Sequence, residues 1–184
     1  MIPKVCGWFV ATSASFAITL CVTKHMLVLT LGGAASMKLV TAINMVLAGL
    51  MLVLMADHEK QWKKTVIFGL GFLQFWLYGQ YIQVGLMLQQ PLSSLLGTPS
   101  LGSVVAFALS GVAGMSCAFN GKFALQRLWL GISITSIAGL GMLGYLANQP
   151  LLYWQIPGVS IGIAIPALIL FLVLGVGLMT LGEK

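Results

Sequence analysis

The sequence predicts an all-α integral membrane protein with six transmembrane helices arranged as three helical hairpins. Only 7% of the 184 residues are charged, whereas 59% are hydrophobic. A soluble domain carries roughly a quarter of its residues as charges, so this chain cannot cover a water-facing surface. In addition, polar interruptions divide the chain into apolar runs close to the ~20 residues that a helix needs to cross a bilayer.

Six apolar runs follow one another, and each ends in a short segment of charged residues, proline or glycine. The first ends at Lys24 and His25, and the most polar segment of the chain, 57–64, separates the second from the third. The predicted spans are 5–22, 39–55, 65–86, 100–119, 128–146 and 159–181. We therefore expect one transmembrane domain, 1–184, made of hairpins at about 5–55, 65–119 and 128–181.

The basic residues predict that both termini are cytoplasmic, because cytoplasmic loops hold an excess of Lys and Arg. With the N-terminus inside, only Lys24 and Lys38 fall on the outer side, and all three acids fall inside. The seven basic residues that fall inside are Lys4, Lys60, Lys63, Lys64, Lys122, Arg127 and Lys184.

An internal repeat is visible in the second helix of each hairpin. A small residue is followed eight positions later by glycine in all three, and the glycines are 62 and 64 residues apart. The glycines are Gly49, Gly111 and Gly175. Because small residues let helices approach closely in lipid, we expect these glycines to lie in helix contacts.

The sequence offers little material for catalysis. No Asp or Glu falls within a predicted span, and no serine or cysteine sits in a nucleophile motif beside a histidine. His25 and His58 are predicted at opposite ends of the first hairpin, ~30 Å apart, so they cannot share a haem or a metal ion. Ligation through one histidine and a partner chain stays open. We expect no enzyme activity, no cofactor, no metal and no nucleic-acid partner.

Polar and aromatic residues near the outer ends of the helices are the candidate ligand-binding residues. Lys38 either snorkels to the membrane interface or anchors an acidic group, and Asn44 lies about 9 Å deeper. In the third helix, Gln74 and Tyr78 share a face that must turn inward, since lipid offers no hydrogen-bond partners. Either interhelical hydrogen bonds or a ligand recess explains such groups. The candidates are Lys38, Asn44, Gln74, Tyr78, Gln80, Tyr81, Gln83 and Tyr145.

Three stretches resemble a known family. They are Met37-Lys38 followed by Thr41-Ala42 and residues 47–50, then 163–168 through Phe171 to Gly175, and 143–146 leading through 150–153. They are similar to hairpin signatures in the six-helix N-terminal membrane modules of bacterial sensor histidine kinases and diguanylate cyclases. The resemblance implies signal transduction at the bacterial inner membrane. This sequence carries no kinase or cyclase motif, so we expect an isolated input module or one that works through a partner.

These observations favour a non-enzymatic sensory or interaction module that binds a lipid, a quinone or another small amphipathic ligand in an outward-facing recess. Pro166 is expected to kink the sixth helix, which would carry the signal to its cytoplasmic end. Expected partners are membrane lipids and either a membrane or cytoplasmic protein or a second copy of the chain. Two alternatives stay open: the substrate-binding subunit of a small-molecule transporter, and a structural or assembly subunit of a larger membrane complex.

Overall fold

A computed structural model describes the chain except for residues 24–36, 58–60, 89–99, 119–123, 157–161 and 183–184, and it describes residues 79–88, 118, 124 and 182 by their backbone alone. The regular elements of the described part are helical, which confirms the prediction of an all-α protein with six helices. The helices are α1 Ile2–Val22, α2 Leu39–Met55, α3 Gln61–Leu88, α4 Leu101–Ala118, α5 Ala124–Leu146 and α6 Ile165–Met179. Short 3-10 helices span Pro150–Tyr153 and Thr180–Gly182.

Helix ends differ from the predicted spans where charge or proline intervenes. Both α3 and α5 begin four residues earlier than predicted, because Lys and Arg are good helix formers although they fall outside an apolar run. In contrast, α6 begins only at Ile165, and Pro166 lies in its first turn. A proline there removes no intrahelical hydrogen bond. The predicted kink at Pro166 is therefore wrong.

Each hairpin is held together by a direct contact between two glycines. A Cβ added to either glycine would lie 2.6–2.8 Å from the carbonyl oxygen of the other, so neither position has room for a side chain. The pairs are Gly7 with Gly49, Gly71 with Gly111, and Gly131 with Gly175. The backbones of the two helices touch at these points, which is the packing mode that small residues permit.

The surroundings of the glycine pairs also repeat. The residue four positions after each first-helix glycine places its backbone nitrogen beside the second-helix glycine of the same hairpin. In the same way, the residue four positions after each second-helix glycine places its backbone nitrogen beside the first-helix glycine. The first set is Ala11, Phe75 and Thr135, and the second is Val53, Met115 and Met179. All three hairpins are thus antiparallel and aligned in the same register.

The second helix of each hairpin lies in the interior of the bundle. Helices α2, α4 and α6 contact one another, while α1, α3 and α5 each lie in the groove between their own partner and the preceding inner helix, with α1 on α6. In the interior, Phe107 stacks on Tyr78 at 5.2 Å and meets the edge of Phe171 at 5.0 Å. Cys6 and Leu52 both approach Gly177, so α1 begins where α6 ends. We call this the termini end and the opposite one the distal end.

By length and composition, two helices in the described part qualify as membrane spans. They are Ile2–Val22 and the segment Leu125–Leu146 of α5. The segments Leu39–Met55, Leu101–Cys117 and Ile165–Met179 are apolar but shorter.

Candidate functional site

The structure brings two of the predicted residues together in a buried polar cluster, which consists of Asn44, Gln74 and Ser110. The side chain of Gln74 is fully buried, and its Nε2 donates to the carbonyl oxygen of Asn44 at 3.1 Å. The hydroxyl of Ser110 donates to Gln74 Oε1 at 3.3 Å. The cluster therefore joins α2 of the first hairpin to α3 and α4 of the second.

The polar cluster contains amides and a hydroxyl but no group that titrates near neutral pH. Asn44 Nδ2 donates to the carbonyl oxygen of Val40 at 2.8 Å, whereas Asn44 Oδ1 is buried without a hydrogen-bond partner. One acceptor is thus left for a water or a ligand donor. The arrangement suits helix association and has no general acid or base.

Tyr78 lies one turn beyond Gln74 on the same buried face of α3. Only 1% of Tyr78 is exposed, and its ring stacks on Phe107. Trp76, between them in sequence, is 54% exposed. Gln74 and Tyr78 thus both turn toward the interior of the bundle. The side chain of Gln74 forms hydrogen bonds between helices. The side chains of Gln80, Tyr81 and Gln83 lie outside the described part, as do His25 and His58.

Lys38 and Tyr145 lie away from the polar cluster. Lys38 is the N-cap of α2 at the distal end and is partly buried. Tyr145, near the end of α5, stacks on Tyr153 at 4.1 Å and donates from its hydroxyl to the carbonyl oxygen of Ile163 at 2.8 Å. Tyr145 therefore links the end of α5 to the segment that connects α5 with α6.

A cavity that the sequence did not reveal lies between α1 and α6, toward the distal end. It measures about 250 Å³ and is partly open to the outside of the bundle. Its lining residues are Phe9, Ser13, Phe16, Ala17, Leu20, Met37, Pro166, Ile169 and Leu170. Among these described lining residues all except Ser13 are apolar, so the cavity suits a hydrocarbon group.

Of the five predicted ligand-binding residues whose side chains the structure describes, none lines this α1/α6 cavity, although Lys38 directly follows Met37. One signal was present in the sequence. Ser13 and Ala17 are small and lie four residues apart, so they occupy one face of α1. Opposite them, Pro166 begins the last helix. The short side chains on α1 that face the first turn of α6 leave space between the two helices.

The described residues contain no group of three or more His, Cys, Asp or Glu side chains that could hold a metal ion. Cys6, Cys21 and Cys117 are free cysteines. The Sγ atom of Cys21 makes a weak contact, at 3.8 Å, with the carbonyl oxygen of Met37. Because Met37 lines the α1/α6 cavity, this thiol lies near the cavity.

No family model, curated protein or solved structure matches the chain. The similarity of its hairpins to bacterial sensory modules stays a prediction from sequence.

Proposed function

We propose that the chain is a multi-pass protein of the bacterial inner membrane with both termini in the cytoplasm. The outward faces of the first helix of each hairpin support this placement, because they expose large aromatic side chains. On α3, Phe68, Phe72 and Trp76 stack along the outside with ring centroids 6.5 and 6.1 Å apart. Trp8 on α1 and Trp129 on α5 are more than half exposed. Soluble monomers rarely leave apolar patches of this extent in water.

Within that membrane, the chain acts as a non-enzymatic sensory module that binds the hydrocarbon part of an amphipathic molecule. The α1/α6 cavity carries this proposal. It lies between the first and third hairpins, its described lining is almost wholly apolar, and it is partly open to the outside of the bundle, which faces lipid in the proposed placement. With about 250 Å³ it falls just below the range of drug-sized pockets. It therefore takes a segment of an acyl or prenyl chain rather than a whole lipid.

The polar end of the ligand is assigned to Lys38. This lysine follows Met37, which lines the cavity, and it caps α2 at the distal end. A lysine at a helix end reaches the membrane interface through its flexible stem. A lipid or quinone with its tail in the α1/α6 cavity would then hold its polar group beside Lys38.

Ligand binding is expected to change the packing of the first hairpin against the third. The cavity involves the first turns of α6, while Gly131 and Gly175 hold the later part of α6 against α5. A chain inserted between α1 and α6 would thus displace α6 together with α5. The last helical residues, Thr180–Gly182, lie at the termini end and would pass the change to a cytoplasmic or membrane partner.

Photolabelling in lipid nanodiscs tests the site. A phosphatidylglycerol with a diazirine in its acyl chain is incorporated at trace level, and labelled peptides are quantified. We expect α1 residues 9–20 to be labelled more strongly than the outer face of α3, which reports contact with bulk lipid. Ser13→Phe fills the cavity and should reduce the excess labelling about tenfold, which corresponds to ~1.4 kcal/mol of lost affinity.

Thr12→Phe is the matched control. Thr12 is exposed and hydrogen-bonds the carbonyl oxygen of Trp8 on its own helix, so the added ring enters lipid and not the cavity. Labelling that is equal on α1 and α3, or that Ser13→Phe leaves unchanged, contradicts the ligand site. Release of the protein from membranes by an alkaline carbonate wash contradicts the membrane placement itself.

A further inference from the structure

Arg127 is buried at the termini end of the bundle without a full set of partners. It lies in the first turn of α5 and is only 6% exposed. Its guanidinium hydrogen-bonds Cys117 near the end of α4. The Nε and Nη1 atoms, however, are buried and have no hydrogen-bond partner. Three N–H groups of a permanently charged side chain are thus left unused.

The surroundings of Arg127 add positive charge. Lys64, in the first turn of α3, is partly buried and lies close enough to act electrostatically on the same Cys117 thiol. The N-terminus of α5 contributes a partial positive charge as well. Among the described residues the sole acid is Asp57, which forms ion pairs with Lys63 and Lys4. Leaving the N–H groups of a buried charge without hydrogen-bond partners is strongly unfavourable, and the positive charge around Arg127 favours an anionic partner.

We propose that Arg127 and Lys64 form a binding site for a phosphate group. A phosphate matches the site because its tetrahedral oxygens accept hydrogen bonds from several directions, as the unused N–H groups on two different guanidinium nitrogens require. Arginine is well suited to such recognition. The phosphate belongs either to the headgroup of an anionic phospholipid or to free inorganic phosphate. This site lies at the opposite end of the bundle from the α1/α6 cavity and does not depend on a ligand there.

The test measures thermal unfolding of the full chain in nanodiscs at constant ionic strength. One arm replaces part of the phosphatidylcholine with phosphatidylglycerol, and the other keeps pure phosphatidylcholine and exchanges chloride for inorganic phosphate. We expect the melting temperature to rise in at least one arm. A rise with phosphatidylglycerol alone identifies the lipid headgroup, and a rise with inorganic phosphate identifies the free anion. No rise in either arm overturns the proposal.

Three variants locate the effect. Arg127→Gln should weaken the apparent affinity for the phosphate group about tenfold or more, since a charged hydrogen-bonding group is lost. Lys64→Gln should weaken it several-fold. Lys63→Gln is the control, because it removes an adjacent cation that pairs with Asp57, and it should leave the affinity unchanged. If Arg127→Gln does not fold, the comparison of Lys64→Gln with Lys63→Gln decides. Equal affinities in these two variants overturn the proposal.

Discussion

The contact between the first and second hairpins differs from the contact between the first and third. In the former, Gln74 reaches across to Asn44 and accepts from Ser110, and all three side chains are buried. In the latter, α1 and α6 enclose an apolar cavity that opens outward. Hydrogen bonds have a preferred geometry, whereas an apolar contact around empty space does not. Of the three junctions between these similar hairpins, the one between the first and second is thus fixed and the one between the first and third is deformable.

The residues at equivalent positions of the three hairpins account for the difference between the two junctions. Gln74 lies three residues after the first-helix glycine of its hairpin, where the first and third hairpins have Val10 and Ile134, both fully buried. Ser110, immediately before the second-helix glycine, corresponds in the same way to Ala48 and Leu174. Only the second hairpin places an amide and a hydroxyl at these positions. The polar cluster is therefore an exception within a common packing scheme.

The largest expected effect comes from disrupting the packing scheme that both junctions rely on. Gly71→Leu places a side chain where a Cβ alone would lie 2.6 Å from the carbonyl oxygen of Gly111. We expect a loss of about 3 kcal/mol in the free energy of unfolding, at the upper end of overpacking costs. Unfolding in mixed micelles measures it. Gly69→Leu is the control, since an added Cβ meets nothing within 4 Å, and a comparable loss there would contradict the glycine contact.

A smaller effect is expected at the fixed junction. Gln74→Val, which introduces the residue of the first hairpin, removes both hydrogen bonds of Gln74 and should cost about 1 kcal/mol. Adding Ser110→Ala should recover part of this loss, because the hydroxyl no longer needs the partner that Gln74 supplied. A double-mutant cycle on thermal unfolding measures the coupling. Strictly additive losses would show that the two side chains do not act together.

The smallest effect is expected at the deformable junction. Ala17→Val projects one larger side chain into the α1/α6 cavity and should raise the free energy of unfolding by about 0.5 kcal/mol. Ala14→Val is the matched control one turn earlier, since Ala14 is fully buried and does not line the cavity. It should destabilise by about 1 kcal/mol. Destabilisation by Ala17→Val of the same size as by Ala14→Val would show that the cavity is not available space.

Much of the fold could be predicted because apolar runs and their interruptions determine where helices form. The helix ends were less predictable. Lys63, Lys64 and Arg127 were placed outside the spans, yet they belong to α3 and α5, since a charge ends an apolar run without ending a helix. Pro166 was placed well inside the sixth helix, whereas α6 begins at Ile165 and holds Pro166 in its first turn.

The candidate site was only partly predictable from sequence. The inward orientation of Gln74 could be predicted, because lipid offers an amide no hydrogen-bond partners. Its partners on α2 and α4, however, depend on the alignment of separate helices, which the sequence does not specify. The first-helix glycines Gly7, Gly71 and Gly131 were missed, although their spacing of 64 and 60 residues nearly matches that of their partners. The α1/α6 cavity lies between helices that are far apart in the sequence, so the small residues Ser13 and Ala17 indicate only its α1 side.

The position of α1 against α6 has a consequence for biogenesis. A chain leaves the ribosome from its N-terminus, so among these six helices α1 is synthesised before the others and α6 after them. Each intermediate hairpin can pair with its predecessor as it emerges, since α3 rests on α2 and α5 on α4. The groove on the first hairpin that faces α6 stays unfilled until α6 has been synthesised. Among the junctions between these three hairpins, the one with the cavity is thus the last to close.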